Sequence, residues 1–393
     1  MARSTKVKLN NPALLRWARE TAGHSVEEIA DHLNKPPDAI HAWEEGMDAP
    51  TYRQLQAFAK KVRRPVAALY LPEVPEEPGP PQDFRVLPGK APDTFTSQAL
   101  LAFRELRNAM AELRDLLGEL GDPLSLALPH WPSLGGSVVA RARELRGLLG
   151  VTFDKQTGWP GDYEALNEWR SALFDRGVLV QVLELPIADV RAFSLLEYDL
   201  GGVGLSTEDP PKGRVFSLFH EVAHLCLHKP GVSGELTAIA SAAQSGVARV
   251  ERYCDAFAAA LLLPQEHPAV SEAMQRLEGG LTLEAAQSYA NRFKVSKYVI
   301  ARRMLDLGKL EPEVYWGETS AWRQHDSHGA QQPRAKRGRP DHLRVKVSWA
   351  GKRYVAKVME ALERGVLTTY EAGKILSLNP DRLEDAHRMA LAT

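Results

Sequence analysis

The chain has 393 residues, with 49 Lys or Arg against 50 Asp or Glu, so any affinity for nucleic acid has to be local rather than a property of the whole protein. Its 44% hydrophobic residues are enough to build two or three packed domains, and its two cysteines exclude a disulfide framework. No apolar run nears the roughly 18 residues that cross a bilayer, and the start MARSTKVKLNN has no signal-peptide core, so a soluble cytoplasmic protein with no membrane partner is expected.

Residues 1–71 read as a helical bundle. Pro12 opens a helix with Leu14, Leu15, Trp17 and Ala18 on its apolar face, and Gly23 ends it. Ser25 and Glu28 have the spacing of a capping box for VEEIADHL, Pro37 opens PDAIHAWEEG, and Thr51 caps TYRQLQAFAKKV. This order, with Ile40, Trp43, Glu44, Gly46 and Pro50 in place, resembles the XRE type of helix-turn-helix domain. The resemblance implies that the second helix of the pair reads the major groove. That helix offers Asp38, His41, Glu44 and Glu45, with Lys35 just before it, and is acidic for the task. Lys35, Asp38 and His41 are the candidate DNA-contacting residues; a module that docks a protein partner is the competing reading.

Residues 72–93 hold seven prolines and read as a semi-stiff linker. A helix from Thr94 to Leu120 follows, with Leu100, Phe103, Leu106, Met110, Leu113, Leu117 and Leu120 in a stripe that suits either a homodimer seam or packing within its own domain. Beyond a helix from Ser137 to Leu149, residues 163–175 read as a helix, and 178–183, 193–198 and 203–206 read as short strands.

Chemistry concentrates in RVFSLFHEVAHLCLH, Arg214 to His228. His220 and His224 are four residues apart, so on a helix both rings leave one face and can share a metal ion, with Glu221 able to reach a metal-bound water as the general base. A third ligand is expected 27 residues after His224, in ERYCD, where Glu251 and Asp255 share a face of a second helix. His220, His224 and Glu251 would hold zinc with one position left open. Asp255 would accept a hydrogen bond from the outer nitrogen of a ligand histidine. Two competitors for the third place are weaker. His228 lies about 6 Å further along an unbroken helix. Cys254 suits burial in an alanine-rich helix.

The block from Ala140 to Pro264, with ARELRGLLG, YEALNEWR, Gly177-Val178-Leu179-Val180, Phe193-Ser194-Leu195, RVFS, the metal helix and FAAALLLP, resembles the ImmA/IrrE family of bacterial metallopeptidases. Ala223 stands where the family usually has Gly, and Gly-Val-Gly-Leu-Ser replaces a more aliphatic strand ending in Asn; neither change removes a ligand or the base. The resemblance implies a zincin-like endopeptidase in gene regulation that cleaves a repressor or antitoxin-like protein. The alternative is a transcription regulator whose peptidase fold serves as sensor or scaffold. Gly202, Val203, Gly204, Leu205 and Ser206, just before the metal helix, are the candidate strand for holding an extended substrate by strand addition. Tyr253 and Arg214 are candidate oxyanion donors, with a structural role the stronger reading for both.

After further helices the stretch 317–341 reads as a polar, basic linker, in which Arg337 and Arg339 of KRGRP resemble the core of a minor-groove AT-hook. Residues 342–393 read as a small helical module for a partner or for oligomerisation. The expected architecture is mainly α with a small β-sheet (α+β): helix-turn-helix domain 1–71, linker 72–93, zinc metallopeptidase domain 94–316, linker 317–341 and C-terminal module 342–393.

Overall fold

The computed structural model describes residues 5–77, 84–86, 95–122, 124–227, 244–330 and 341–392, with backbone alone at 84–86, 244–247 and 327–330. The chain divides into two compact units, Met1–Gln82 with Val86–Glu105 and Asp83–Arg85 with Leu106–Thr393. The fold is mainly α with one small sheet, as expected.

The first unit is helical: α1 (Ala13–Thr21), α2 (Val26–Leu33), α3 (Pro37–Glu44), α4 (Tyr52–Lys61), a 3-10 turn at Val66–Tyr70 and the start of α5 (Ser97–Leu120). Ser25 and Glu28 form the expected capping box, and Thr51 with Gln54 forms a second. Each satisfies backbone donors that have no partner inside the helix. Leu14, Ile29, Ile40, Leu55 and Phe58 are buried together, which fixes α3 against α1 and α2.

In the second unit the helices before the sheet are the rest of α5, α6 (Val138–Leu148), α7 (Phe153–Gly158) and α8 (Asp162–Phe174). The sheet has the order β1 (Phe84–Val86), β3 (Val190–Glu197), β4 (Leu200–Ser206), β2 (Val178–Leu183). β4 runs parallel to β2, from Val178↔Gly201 to Leu183↔Ser206, and antiparallel to β3, from Glu197↔Leu200 to Ala192↔Leu205. The turn between β3 and β4 is two residues, Tyr198 and Asp199, both left-handed at φ 58° and 57°, as a hairpin twisted like its strands requires. Neither residue is glycine; Arg114 Nη1 holds the turn by donating to Tyr198 O at 2.8 Å.

After the sheet come α9 (Pro211–Leu227), α10 (Gln244–Leu262), α11 (Pro268–Glu278), α12 (Leu283–Phe293), α13 (Lys297–Asp306), α14 (Pro312–Ala330), α15 (His342–Ala350), α16 (Lys352–Glu363), α17 (Thr369–Ile375) and α18 (Leu383–Leu391). Three features differ from the sequence reading. The polar stretch from 317 is not a linker at its start, because α14 continues to Ala330. Thr319 and Trp322 are buried on it, and Asp326 accepts from Lys297 Nζ at 2.7 Å and Tyr298 Oη at 2.8 Å. The division between units falls inside α5, after Glu105 rather than at residue 94, and residues 342–393 belong to the same unit as α9. The α5 stripe is covered within the chain, with Leu106, Met110, Leu113 and Leu117 at most 2% exposed.

The tail is joined to the sheet by one buried cation. Arg170, on α8, donates to Val180 O of β2 through Nε at 3.1 Å and Nη2 at 2.6 Å, and to Ser348 O and Trp349 O at the end of α15. It ties the outermost strand, whose six residues are all buried, to the helix packed beside it. An edge strand left open would be a template for unwanted pairing.

Candidate metal centre

The start of α9 is anchored to the end of β4. Arg214 Nε donates to Ser206 O at 2.9 Å and Nη2 to Thr207 O at 2.7 Å, and burial pulls this guanidinium below its ordinary value. From Leu218 to Leu227 every residue of α9 is buried, packed against α8, β3, β4 and α10. The helix carries two buried histidines, His220 and His224, into the interior, where an unsatisfied imidazole is costly.

The structure brings His220, His224, Glu251 and Asp255 together. His220 Nε2 lies 3.2 Å from Glu251 Oε2, His224 Nε2 lies 3.2 Å from Glu251 Oε1, and the two Nε2 atoms are 3.2 Å apart. Ligands at about 2.0 Å from a tetrahedral zinc are separated by about 3.3 Å, so this triangle fits such an ion. Asp255 Oδ1 is 2.9 Å from His220 Nδ1. With the ring proton on Nδ1, the lone pair of Nε2 faces Glu251. Burial pushes the Glu251 carboxyl up, and its contacts with His220 and His224 outweigh this, holding it well below the usual carboxylate range.

Among the described residues, His220, His224 and Cys254 also form a group with ligating atoms within 4.8 Å of one another. Glu251 fits the third position better, since each of its oxygens faces one histidine Nε2. Burial pushes the Cys254 thiol up.

Glu221 is 1% exposed, and its Oε2 accepts from Ser194 Oγ on β3 at 2.9 Å. Sequence reasoning missed Ser194 as a functional residue; its one signal was a hydroxyl flanked by apolar residues, Phe193 and Leu195. It also missed Arg302 on α13, whose Nη1 donates to Asp255 Oδ2 at 3.0 Å.

The candidate substrate strand requires correction. Gly202, Val203, Gly204 and Leu205 lie inside the sheet, paired with β2 on one side and β3 on the other, and Ser206 is paired with β2, so the four inner residues have no free backbone edge for a peptide. The glycines have a packing reason. A Cβ on Gly202 would lie 2.2 Å from Met110 Sδ, and one on Gly204 would lie 2.3 Å from the Phe193 ring. The two oxyanion candidates are engaged elsewhere: Arg214 on backbone carbonyls, and Tyr253 on Arg141, whose Nη1 donates to the phenol at 2.7 Å.

In the first unit Lys35, Asp38 and His41 are exposed at and just before α3. Glu44 is not on that surface. It is 4% exposed and takes Arg19 Nε at 2.6 Å and Nη2 at 3.0 Å, which removes one acid from the face expected to read DNA. Arg337, Arg339 and His228 lie outside the described residues.

A two-histidine helix faced by a carboxylate helix beside a small sheet is the kind of site that metallopeptidases use. Residues 175–305 match the model of peptidase family M78, the IrrE N-terminal-like domain, and residues 15–69 match a helix-turn-helix model. The pair is the architecture of ImmA/IrrE proteins that carry a helix-turn-helix domain. No curated protein matches the chain. Among solved structures, a Mycobacterium tuberculosis transcriptional regulator aligns at 16% identity over 53% of this chain and 54% of its own, about half of each, with a TM-score of 0.31. Among the described residues no helix is long and apolar enough to cross a membrane.

Proposed function

We propose that the chain is a cytoplasmic zinc-dependent endopeptidase in gene regulation, acting on a repressor or antitoxin-like protein. The observation that supports it most is the triangle of His220, His224 and Glu251 with the buried Glu221 carboxylate on the same helix, hydrogen-bonded to Ser194. Zinc, when bound by the three side chains, supplies a Lewis acid that polarises the scissile carbonyl and acidifies water. The chain's own groups do the rest. Asp255 keeps His220 in one tautomer and orientation. Ser194 steadies one oxygen of Glu221, and the other takes a proton from the attacking water and passes it to the leaving amine. Neither Cys226 nor Cys254 is in a disulfide, which suits a reducing compartment. The helix-turn-helix unit would bring the peptidase to its partner on DNA.

The test pairs metal content with cleavage of candidate partners. Wild-type protein should hold one zinc per chain, Glu251→Ala should lose it, and Glu221→Gln should keep it while cleavage falls by about 10²-fold or more. Full cleavage by Glu221→Gln would remove the base. Absence of stoichiometric metal in the wild type would favour the other reading, a DNA-binding regulator built on a peptidase scaffold.

A further inference from the structure

We propose that Arg302 is a positioning residue for the metal centre, pinning the Asp255 carboxylate that orients His220; this rests on the metal reading of the site. Asp255 uses both oxygens. Oδ1 faces His220 Nδ1 at 2.9 Å, and Oδ2 accepts from Arg302 Nη1 at 3.0 Å. A carboxylate held at one oxygen can swing about its Cβ–Cγ bond, and the second contact fixes its plane.

Arg302 is itself held from three sides. Nε donates to Asp306 Oδ1 at 2.9 Å, one turn along α13, and Nη2 donates to Arg252 O at 3.1 Å on α10. A planar guanidinium with three such contacts cannot pivot without breaking one. The helix that supplies Glu251 and Asp255 is therefore clamped to α13 at the point where it meets His220. The side chains of Arg302 and Asp306 are each 15% exposed and that of Asp255 is 22% exposed, so solvent screens these charges only in part. Without Arg302, the Asp255 and Asp306 carboxylates would face each other as like charges. Asp255 would turn from the repulsion, and the His220 ring would lose the partner that keeps Nε2 aimed at the metal.

The test is a double-mutant cycle on the full chain, reading the zinc dissociation constant by chelator competition and the visible spectrum of the cobalt-loaded protein. Arg302→Met is expected to weaken zinc about ten-fold or more and to change the cobalt spectrum, and Arg302→Lys to recover part of the affinity. Arg302→Met in an Asp255→Asn background should add little to the effect of Asp255→Asn alone, because both act through one contact. Zinc affinity within two-fold of wild type in Arg302→Met, or losses that add in the double variant, would overturn the proposal. If Arg302→Met does not fold, Asp306→Ala takes its place: it keeps the guanidinium but removes the acceptor of Nε, and unchanged zinc affinity there also overturns it. A wild type that binds no zinc defeats the metal reading itself, whereas a zinc-binding wild type with unaffected variants defeats this proposal alone.

Discussion

Asp255 and Ser194 show how a residue's role depends on what lies across from it. The spacing Glu-x-x-x-Asp was enough to expect Asp255 behind a histidine, because one helix places both carboxylates on one face. Nothing local to Ser194 points to Glu221, which is 27 residues away and meets it only because β3 packs on α9. A hydrogen bond to a buried carboxylate contributes about 1.5–3 kcal/mol. Ser194→Ala should therefore keep its metal and lower kcat by about ten-fold or more while KM moves little. An unchanged kcat would leave Ser194 with a packing role only. Glu44 carries the converse lesson: it reads as an acid on a DNA-facing helix and proves to be the buried partner of Arg19.

β4 was legible as a strand, but its place in the sheet was not. Three glycines in seven residues suggested an open backbone beside the metal helix, whereas Met110 and Phe193 lie over two of them and both edges are paired. Phe193 is the cross-strand partner of Gly204, and its ring covers the missing side chain. Gly204→Ala should accordingly destabilise the protein by about 1–3 kcal/mol, read as a lower denaturation midpoint with the slope unchanged. Stability equal to wild type would mean that the ring moves aside at no cost. α14 differs for a similar reason. Its polar sequence favours a linker, and its tertiary partners Lys297 and Tyr298 hold it as helix.

At the scale of the molecule, the chain carries a helix-turn-helix segment and a peptidase-type segment, and the first raises the question of DNA. With Glu44 withdrawn and Lys35 and His41 exposed, the face of α3 is less acidic than its sequence implies, though Asp38 and Glu45 remain on it. If duplex DNA is bound, the logarithm of the affinity should fall steeply and linearly with that of salt concentration, by about 0.9 per phosphate neutralised. Binding that is absent or indifferent to salt would point to a protein partner for this unit. The sequence by itself determined the run of capped helices in the helix-turn-helix segment, the pairing of His220 with His224 and of Glu251 with Asp255, and the presence of short strands between helices, because each depends on local spacing, caps and turns along the chain. Only the tertiary structure decided that Ser194 meets Glu221, that Arg302 grips Asp255, that β4 is an inner strand and that Arg170 ties the tail to the edge of the sheet. Those contacts join residues remote along the chain, and no local period of side chains encodes which element will pack beside which.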